Sequence, residues 1–334
     1  MFLSMNLPIY FSAIYNKYLE IKVQKKFNKS FLIPYLNELE VKYNGNFDPV
    51  QVQKILNYYG LFITSFLCSS YKQLYGKKLT SEERKRATLF GILTPVVDDM
   101  FDVEKSDIES IKAIALNPEN SSPESFSSKV SREIHVFEKQ NVRYKKEYLE
   151  ACENLLEIQI ETIKQTNPEI SPEEIERITY TKGAWSVIIY HQVLDDIADK
   201  QMKEVLFLIG SLFQLGNDTF DCYKDVKDNI YTPVTTCVDF VAFKKKFLNI
   251  LQEMNVKIMD LPYNKKNKKE FCIVINAINA RSLVAIDMFI RLQKKIGTKI
   301  NWHNLDRKSM ICDMGKPINI IRWVYYIFRL PLLK

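Results

Sequence analysis

The amino-acid sequence predicts an all-α fold, and three observations carry that prediction. Glycine and proline are scarce, with 9 Gly and 12 Pro in 334 residues, whereas Leu, Ile, Lys and Glu are plentiful. Apolar residues recur at helical spacing, most clearly at Ile55, Tyr58, Tyr59, Phe62 and Phe66. Aromatic residues make up 12% of the chain, enough to line a large apolar cavity as well as fill a core. We therefore expect a single-domain antiparallel helical bundle over residues 1–334 with a central cavity.

Turn and capping residues divide the chain into the expected helices. Gly76 ends one apolar stretch, and Thr80-Ser81-Glu82-Glu83 is a capping box for the helix that follows. Residues 117–128, rich in Asn, Pro and Ser, are expected to form a loop. The expected helices are 9–28, 31–44, 49–75, 80–102, 129–165, 172–200 and 203–228, with two or three more after them. The first two form the N-terminal segment 1–45.

The charge and the cysteine pattern narrow the classes of function. The net charge of +7 suits an anionic substrate or an acidic membrane surface, but lysines spread along the whole chain argue against a nucleic-acid groove. Six scattered cysteines without a CxxC pair, and three histidines far apart, argue against a zinc site or a disulfide framework and favour a cytoplasmic setting. The N-terminus lacks signal-peptide features, and no uncharged apolar run approaches the ~20 residues that span a bilayer.

One polar stretch, Gln214 to Asp228, stands out inside an otherwise apolar helix. Asn217, Asp221 and Asp225 recur every fourth residue, so a helix would align them on one face, although like charges at that spacing repel. A cation that prefers oxygen ligands would remove the repulsion. The alternative is a solvated acidic helix face. Burial is favoured because large apolar residues surround the trio, namely Leu212, Phe213, Leu215 and Phe220.

A second acidic cluster ends an apolar run. Asp98-Asp99-Met100-Phe101-Asp102 follows the run from Leu89 to Val97 and has the pattern DDxxD. Asp98 and Asp102 would share a helix face, with Asp99 one position round. The sequence thus contains two clusters of potential oxygen ligands, about 120 residues apart.

These two stretches resemble the paired metal motifs of class I terpene synthases. Asp98–Asp102 is similar to the first motif, and Asn217-Asp218-Thr219-Phe220-Asp221-Cys222-Tyr223-Lys224-Asp225 looks like the second. In the second motif Asp221 stands where the family has Ser or Thr, and Asp225 stands where it has Glu. Aspartates at these positions, together with Ile63-Thr64-Ser65-Phe66, also resemble squalene and phytoene synthases. The resemblance covers roughly Tyr59 to Arg307.

The resemblance implies a class I isoprenoid synthase-like bundle around an active-site cavity, with three Mg²⁺ ions as cofactors. It implies a lyase that ionises a C15 or C20 prenyl diphosphate and releases a cyclic terpene and diphosphate. The clusters alone would repel a diphosphate, whereas Mg²⁺ commonly joins carboxylates to phosphates. The implied metal ligands, which are also the catalytic residues, are Asp98, Asp99, Asp102, Asn217, Asp221 and Asp225.

Further residues of the implied site are basic or aromatic. The diphosphate would be bound by Arg177, for which Lys182 is a competitor, and by Lys224 and Arg307. Lys308 stands where that family has Tyr after the arginine, so the sequence departs from the family pattern at this position. Aromatic faces stabilise carbocations, and the candidate cavity walls are Phe66, Phe90, Trp185, Tyr190 and Phe213.

Two other activities stay open at this stage. One is condensation of two prenyl diphosphates, as in squalene and phytoene synthases, and the other is a catalytically silent prenyl-chain binding protein. Chain-elongating enzymes carry basic residues after DDxxD, whereas Val103-Glu104-Lys105 follows here, which favours the cyclase.

Two segments have competing interpretations. Asp195-Asp196-Ile197-Ala198-Asp199 is also a DDxxD, but we expect it to be a solvated helix end. The apolar tail 315–334, with Arg322 and Arg329 interspersed, is expected to pack on the bundle, with a membrane-surface location as the alternative. A homodimer is also left open.

Overall fold

The computed structural model describes residues 7–297 and 300–330, except for the side chain of Asp102. Over these residues the chain is all-helical, with 80% helix and no strands, which confirms the all-α prediction. The α-helices, in chain order, are α1 (Leu7–Phe27), α2 (Ile33–Tyr43), α3 (Pro49–Gln53), α4 (Ser69–Leu74), α5 (Ser81–Asp102), α6 (Ile108–Leu116), α7 (Phe126–Asn141), α8 (Lys145–Glu161), α9 (Pro172–Gln192), α10 (Lys200–Lys227), α11 (Phe240–Asp260), α12 (Lys265–Ile296), α13 (Arg307–Met310) and α14 (Pro317–Arg329). Wider π-helical turns occur at Asn28–Leu32 and Lys54–Cys68, and 3₁₀ turns occur at Pro118–Asn120, Thr162–Thr166 and Trp302–Asn304.

The chain divides into two compact units. Unit 1 comprises Met1–Leu156, Ile189–Ala198 and Tyr263–Phe271, and unit 2 comprises Glu157–Ile188, Asp199–Pro262 and Cys272–Lys334. The acidic cluster of α5 therefore belongs to unit 1, and the polar stretch of α10 belongs to unit 2.

Several predicted helix boundaries agree with the structure. The capping box is confirmed, because the Thr80 side chain accepts from the Glu83 N–H while the Glu83 carboxylate accepts from the Thr80 N–H. The 203–228 helix corresponds to α10, which begins three residues earlier because Asp199 accepts from the N–H of Met202.

The predicted helix 129–165 is wrong. It is two helices, α7 and α8, separated at Val142, whose backbone is extended. The first of them starts at Phe126, inside the expected loop, because Ser125 caps it by accepting from the N–H of Ser128. The helix expected to reach Lys200 ends at Gln192.

A π-helical segment, Lys54–Cys68, lies between α1 and α5 in unit 1. Two polar side chains of α1 bind its carbonyls, because Gln24 Nε2 donates to Gly60 O at 2.7 Å and the Lys17 ammonium reaches Ser65 O at 3.5 Å. Across it, α5 approaches closely, since a methyl group at Gly91 would lie 3.1 Å from Tyr59 Cβ. These contacts fix the helix that carries the first acidic cluster.

Buried ion pairs tie the second DDxxD to the first half of α5. The Asp196 carboxylate binds Lys72 and Lys77, and Lys72 also binds Glu83 at 2.5 Å. Asp195 accepts from Arg86 at 2.6 Å. The expected solvated helix end is therefore wrong, because Asp196 is buried and its segment follows the end of α9 as an irregular connection.

Within the described residues one helix, α12, is long and apolar enough to cross a membrane by length and composition. Of its apolar window, 67% is buried inside the protein. A core helix can have the same length and composition, so this finding is weak evidence for a membrane span.

Lys72 provides a test of the buried pairs. Lys72→Met should lower the free energy of unfolding by about 3–5 kcal/mol, because Glu83 and Asp196 would remain buried without their shared cation. Lys77→Met is the matched control, since Lys77 binds the same Asp196 but is 58% exposed, and it should cost less than about 1 kcal/mol. Urea unfolding measures both, and equal losses would contradict the assignment.

Candidate functional site

The polar stretch of α10 forms one continuous helical face in unit 2. We call Asn217, Asp218, Asp221 and Asp225 the α10 cluster. Asn217 Nδ2 donates to Asp221 Oδ2 at 2.9 Å, one helical turn away. Because this bond uses the NH₂ group of Asn217, the amide oxygen points away from the Asp221 carboxylate. The face therefore presents oxygen atoms of both neutral and charged groups.

Two carboxyl groups of the α10 cluster are buried, and their pKa values are raised. Burial is the main cause at Asp218, raising its pKa to about 7, with the charge of Asp221 adding to the effect. Burial likewise raises the pKa of Asp225 to about 8, helped by the charges of Asp218 and Asp221. Lys182 opposes both shifts. Near neutral pH the cluster thus holds fewer negative charges than its residues suggest, unless a cation joins it.

Only one of the two carboxyl oxygens of Asp218 has a hydrogen-bond partner among the described residues. Its Oδ1 accepts from Gln214 Nε2 at 2.9 Å. Its Oδ2 is buried and has no hydrogen-bond partner among the described residues. A buried carboxylate oxygen without a donor is costly, so this atom suits a hydrogen-bond donor or a cation.

The position of Lys182 beside the α10 cluster depends on a glycine crossing between α9 and α10. A Cβ atom added at Gly183 would lie 2.2 Å from the carbonyl oxygen of Gly210, and one at Gly210 would lie 2.2 Å from that of Gly183. The two backbones are therefore in direct contact, and only glycine fits at either position. The backbone next to Lys182 is thereby held against α10, and the charge of Lys182 acts on Asp218 and Asp225.

An apolar cluster supports the other side of α10. Cys222 and Val226 of α10 belong to a core cluster that includes Phe240, Phe289 and Trp302. The Trp302 ring meets Phe289 edge-on at 5.3 Å between centroids, and its indole N–H donates to Thr235 O at 2.8 Å. This packing fixes the rotation of α10 about its axis and so determines which side chains face outward.

Arg307 and Lys224 also lie along α10. The Arg307 guanidinium lies over the ring of Tyr223, 5.8 Å from its centroid. Lys224 is exposed, and its charge opposes the raised pKa of Asp225. Of these two predicted diphosphate contacts, Lys224 is thus near the α10 cluster, whereas Arg307 contacts Tyr223, which packs on the apolar side of α10.

Arg177 is engaged elsewhere in unit 2. Its guanidinium binds Glu161 and, at 2.7 Å, Glu174, and its side chain is 44% exposed. Of the two competitors on α9, Lys182 and not Arg177 has a charge that acts on Asp218 and Asp225.

The first acidic cluster lies at the end of α5 in unit 1, where the side chain of Asp102 is outside the described part. Pro95 interrupts the hydrogen bonding of α5 just before the cluster. Gln51 Nε2 donates to Asp99 Oδ2 at 2.5 Å and to Pro95 O at 3.4 Å. The Gln51 amide therefore bridges the Pro95 carbonyl and one carboxylate of the cluster.

Asp98 lies near an aromatic pair of unit 1. Burial raises the pKa of Tyr190, and the charge of Asp98 contributes. Tyr190 OH is 3.3 Å from the Thr94 hydroxyl, and its ring meets Phe90 edge-on at 5.1 Å between centroids. Two of the predicted aromatic residues thus contact each other next to the acidic cluster.

The remaining aromatic candidates are distributed over both units. Phe66 stacks on Phe62 at 4.6 Å between centroids in unit 1. Trp185 and Phe213, both half-buried, belong to unit 2. Their part in a cavity wall stays a prediction.

The donor set of the α10 cluster fits a hard divalent cation. Carboxylate and amide oxygens are the ligands that Mg²⁺ prefers. No group of three or more His, Cys, Asp or Glu side chains, among those described, is arranged to hold a metal by itself. Mg²⁺ there would therefore use one or two carboxylates, with phosphate and water oxygens as its other ligands, which is its usual coordination in proteins.

Sequence reasoning did not identify Gln51 or the glycine crossing. The contact between Gln51 and Asp99 joins residues 48 positions apart, and no local pattern signals it. Gly183 and Gly210 do carry a signal, since glycine inside a helix costs about 1 kcal/mol relative to alanine and needs a packing reason.

Comparison of the chain with family models, curated proteins and solved structures finds no match. The function of the chain is therefore inferred from its residues and their contacts.

The raised pKa of Asp225 predicts a pH-dependent stability. A carboxyl whose pKa is about 8 in the folded state and 3.8 in the unfolded state stabilises the fold below pH 4. That contribution is lost as the pH rises toward 8, because the unfolded chain then releases the proton more readily. At pH 8, Asp225→Asn should raise the free energy of unfolding by at least about 1.4 kcal/mol, the equivalent of one pKa unit.

Urea unfolding at pH 5 and pH 8 measures the effect. Asp228→Asn is the matched control, because Asp228 is exposed immediately after the same helix, and it should change stability equally at both pH values. Addition of Mg²⁺ at pH 8 should stabilise the wild type more than Asp225→Asn. A variant no more stable than wild type at pH 8 would contradict the buried carboxyl.

Proposed function

We propose that this chain is a Mg²⁺-dependent enzyme of the class I isoprenoid synthase type that ionises a C15 or C20 prenyl diphosphate and cyclises it. The observation that carries the proposal is the α10 cluster. It combines two buried carboxyl groups of raised pKa, a turn-to-turn bond from Asn217 to Asp221, and the charge of Lys182. Such an arrangement suits a site that holds cations together with an anionic ligand.

The chemistry requires that the diphosphate be bound and then stabilised as it leaves. Mg²⁺, when bound, would act as a Lewis acid on the diphosphate oxygens. Asn217, Asp221 and Asp225 would hold the cation, and Asp218 would orient Gln214 on the neighbouring turn. Lys182 and Lys224 would neutralise part of the charge of the diphosphate. Arg307 is a further predicted contact, although the side chain it lies over, Tyr223, packs on the apolar side of α10.

The aspartates of α5, in unit 1, are the other predicted ligands in this proposal. Gln51 donates to Asp99 and so orients its carboxylate. The adjacent aromatic pair, Phe90 and Tyr190, offers ring faces and an apolar surface. Rings stabilise a carbocation by roughly 0.5–2 kcal/mol each, and exclusion of water prevents its early quenching.

Condensation of two prenyl diphosphates is the second candidate reaction. The aspartates at four-residue steps after Asn217 favour it, because squalene and phytoene synthases have Asp at those steps. Against a chain-elongating enzyme, acidic rather than basic character continues after Asp102, at Glu104. The products distinguish these reactions.

Product analysis is the decisive experiment. Purified protein is incubated separately with C10, C15, C20 and C25 prenyl diphosphates and Mg²⁺, and the extracts are analysed by gas chromatography. A cyclic hydrocarbon with the carbon number of its substrate is expected. A product of doubled carbon number would identify a condensing enzyme. Binding of a prenyl diphosphate without turnover would identify a silent binding protein.

Substitutions in the two clusters should abolish turnover. Asp98→Ala and Asn217→Ala are each expected to lower kcat at least about 100-fold, because each removes an oxygen ligand that acts on the leaving group. The fold should persist, as judged by circular dichroism. Asp228→Ala, exposed after α10, is the control and should keep the wild-type rate. Either variant with a near-normal rate would remove that residue from the site.

Lys182 and Arg177 are predicted to behave differently. Lys182→Met should raise KM for the prenyl diphosphate roughly tenfold, as expected for loss of one charge-assisted hydrogen bond. Arg177→Met should leave KM unchanged, because Arg177 is already paired with Glu161 and Glu174. Steady-state kinetics measure both variants, with the prenyl diphosphate that the product analysis identifies as the substrate. A larger effect at Arg177 would reverse the assignment.

A further inference from the structure

The last described helix, α14, packs on unit 2 through its polar groups. Trp323 Nε1 donates to Ala277 O at 2.7 Å, and Tyr326 OH donates to Asp287 Oδ2 at 2.6 Å. Asn319, buried on the same side, donates to Asp313 O at 2.9 Å. These bonds fix the rotation of α14 about its own axis.

The opposite face of α14 is apolar and faces solvent. Its exposed side chains, with exposures of 41–64%, are Ile318, Ile320, Ile321, Val324 and Tyr325. A surface helix of a globular protein normally buries its apolar stripe and exposes its polar one. In α14 this polarity is inverted, so the expectation that the tail simply packs on the bundle accounts for only one side of the helix.

The charges around this face have one sign. No Asp or Glu occurs in the sequence from Gly315 to Lys334. On the helical wheel, Arg322 and Arg329 fall at one edge of the exposed apolar arc, and Lys316 precedes the first turn. An apolar helix face bordered by cations is typical of helices that lie in the interface of a membrane with anionic lipids.

A second copy of the chain fits this face poorly. A helix of 13 residues is about 20 Å long and about 10 Å wide, so one face covers roughly 200 Å². A stable protein interface needs about 800 Å² from each partner. Two basic borders would also repel each other, whereas anionic headgroups complement them.

From this geometry we infer that the exposed face of α14 docks on the surface of an anionic phospholipid bilayer. The apolar side chains enter the boundary between headgroups and acyl chains, and the basic residues contact the headgroups. The inference is independent of the proposed reaction, since docking needs neither substrate nor Mg²⁺. If the proposed function holds as well, docking would bring the enzyme to the layer where long prenyl chains partition.

Vesicle flotation with the full chain tests the inference. The probes are vesicles of phosphatidylcholine alone and of phosphatidylcholine with 30% phosphatidylglycerol, at low and high salt. Wild-type protein should float with the anionic vesicles and do so less at high salt. Ile321→Glu/Val324→Glu should weaken binding at least tenfold, and Lys316→Gln/Arg329→Gln should remove most of the salt dependence.

Matched controls separate this face from general surface effects. Val256→Glu, on an exposed position of α11 in unit 2, should float as the wild type does. Thermal unfolding should be unchanged in all variants, because every altered side chain is exposed. Full binding by the Ile321→Glu/Val324→Glu variant would overturn the inference, as would absence of wild-type binding. A dimer that this variant abolishes, without vesicle binding, would assign the face to a second copy instead.

Discussion

Burial of two carboxyl groups on α10, Asp218 and Asp225, is the constraint on which the candidate site depends. Burial and mutual charge raise the pKa of Asp218 to about 7 and that of Asp225 to about 8. The free energy of that arrangement must be supplied by the surrounding structure. It comes from the apolar cluster behind the helix, which contains Phe240 and Trp302, and from the packing of α9 beside it. Under the proposed function, a cation bound beside these carboxyl groups would stabilise the folded state.

Unit 1 holds its own acidic cluster by a different means. The buried Lys72 and Arg86 bind Asp196 and Asp195, which anchors the first half of α5. Pro95 then interrupts the helix close to its acidic end. The carboxylates of α5 therefore lie after Pro95, at the end of a helix whose first half is held by ion pairs.

Local features of the fold could be predicted from the sequence, and long-range ones could not. Helix content and the capping box at Thr80 depend on residues within one turn, so the pattern was sufficient. The end of α9 and the role of Asp195 depend on Arg86, which lies 109 positions away in the chain. A DDxxD pattern alone cannot distinguish an ion-paired clamp from a metal site, because both need the same carboxylates.

The same division applies to the candidate site. Four-residue spacing was enough to align Asn217 with Asp221, whose side chains are hydrogen-bonded. Spacing could not identify which basic side chain lies near the α10 cluster, because Arg177 and Lys182 are only about 1.4 turns apart on α9. Only the fold pairs Arg177 with Glu161 and leaves Lys182 to act on the α10 cluster.

The backbone contact between Gly183 and Gly210 has a consequence for how this protein can diversify. Where side chains separate two helices, successive small replacements can shift one helix past the other. Here no side chain separates the two helices, so backbone atoms alone fix the spacing of α9 and α10 at this crossing. New specificities would have to arise from the side chains around this crossing, because the spacing of the two helices at the crossing cannot change.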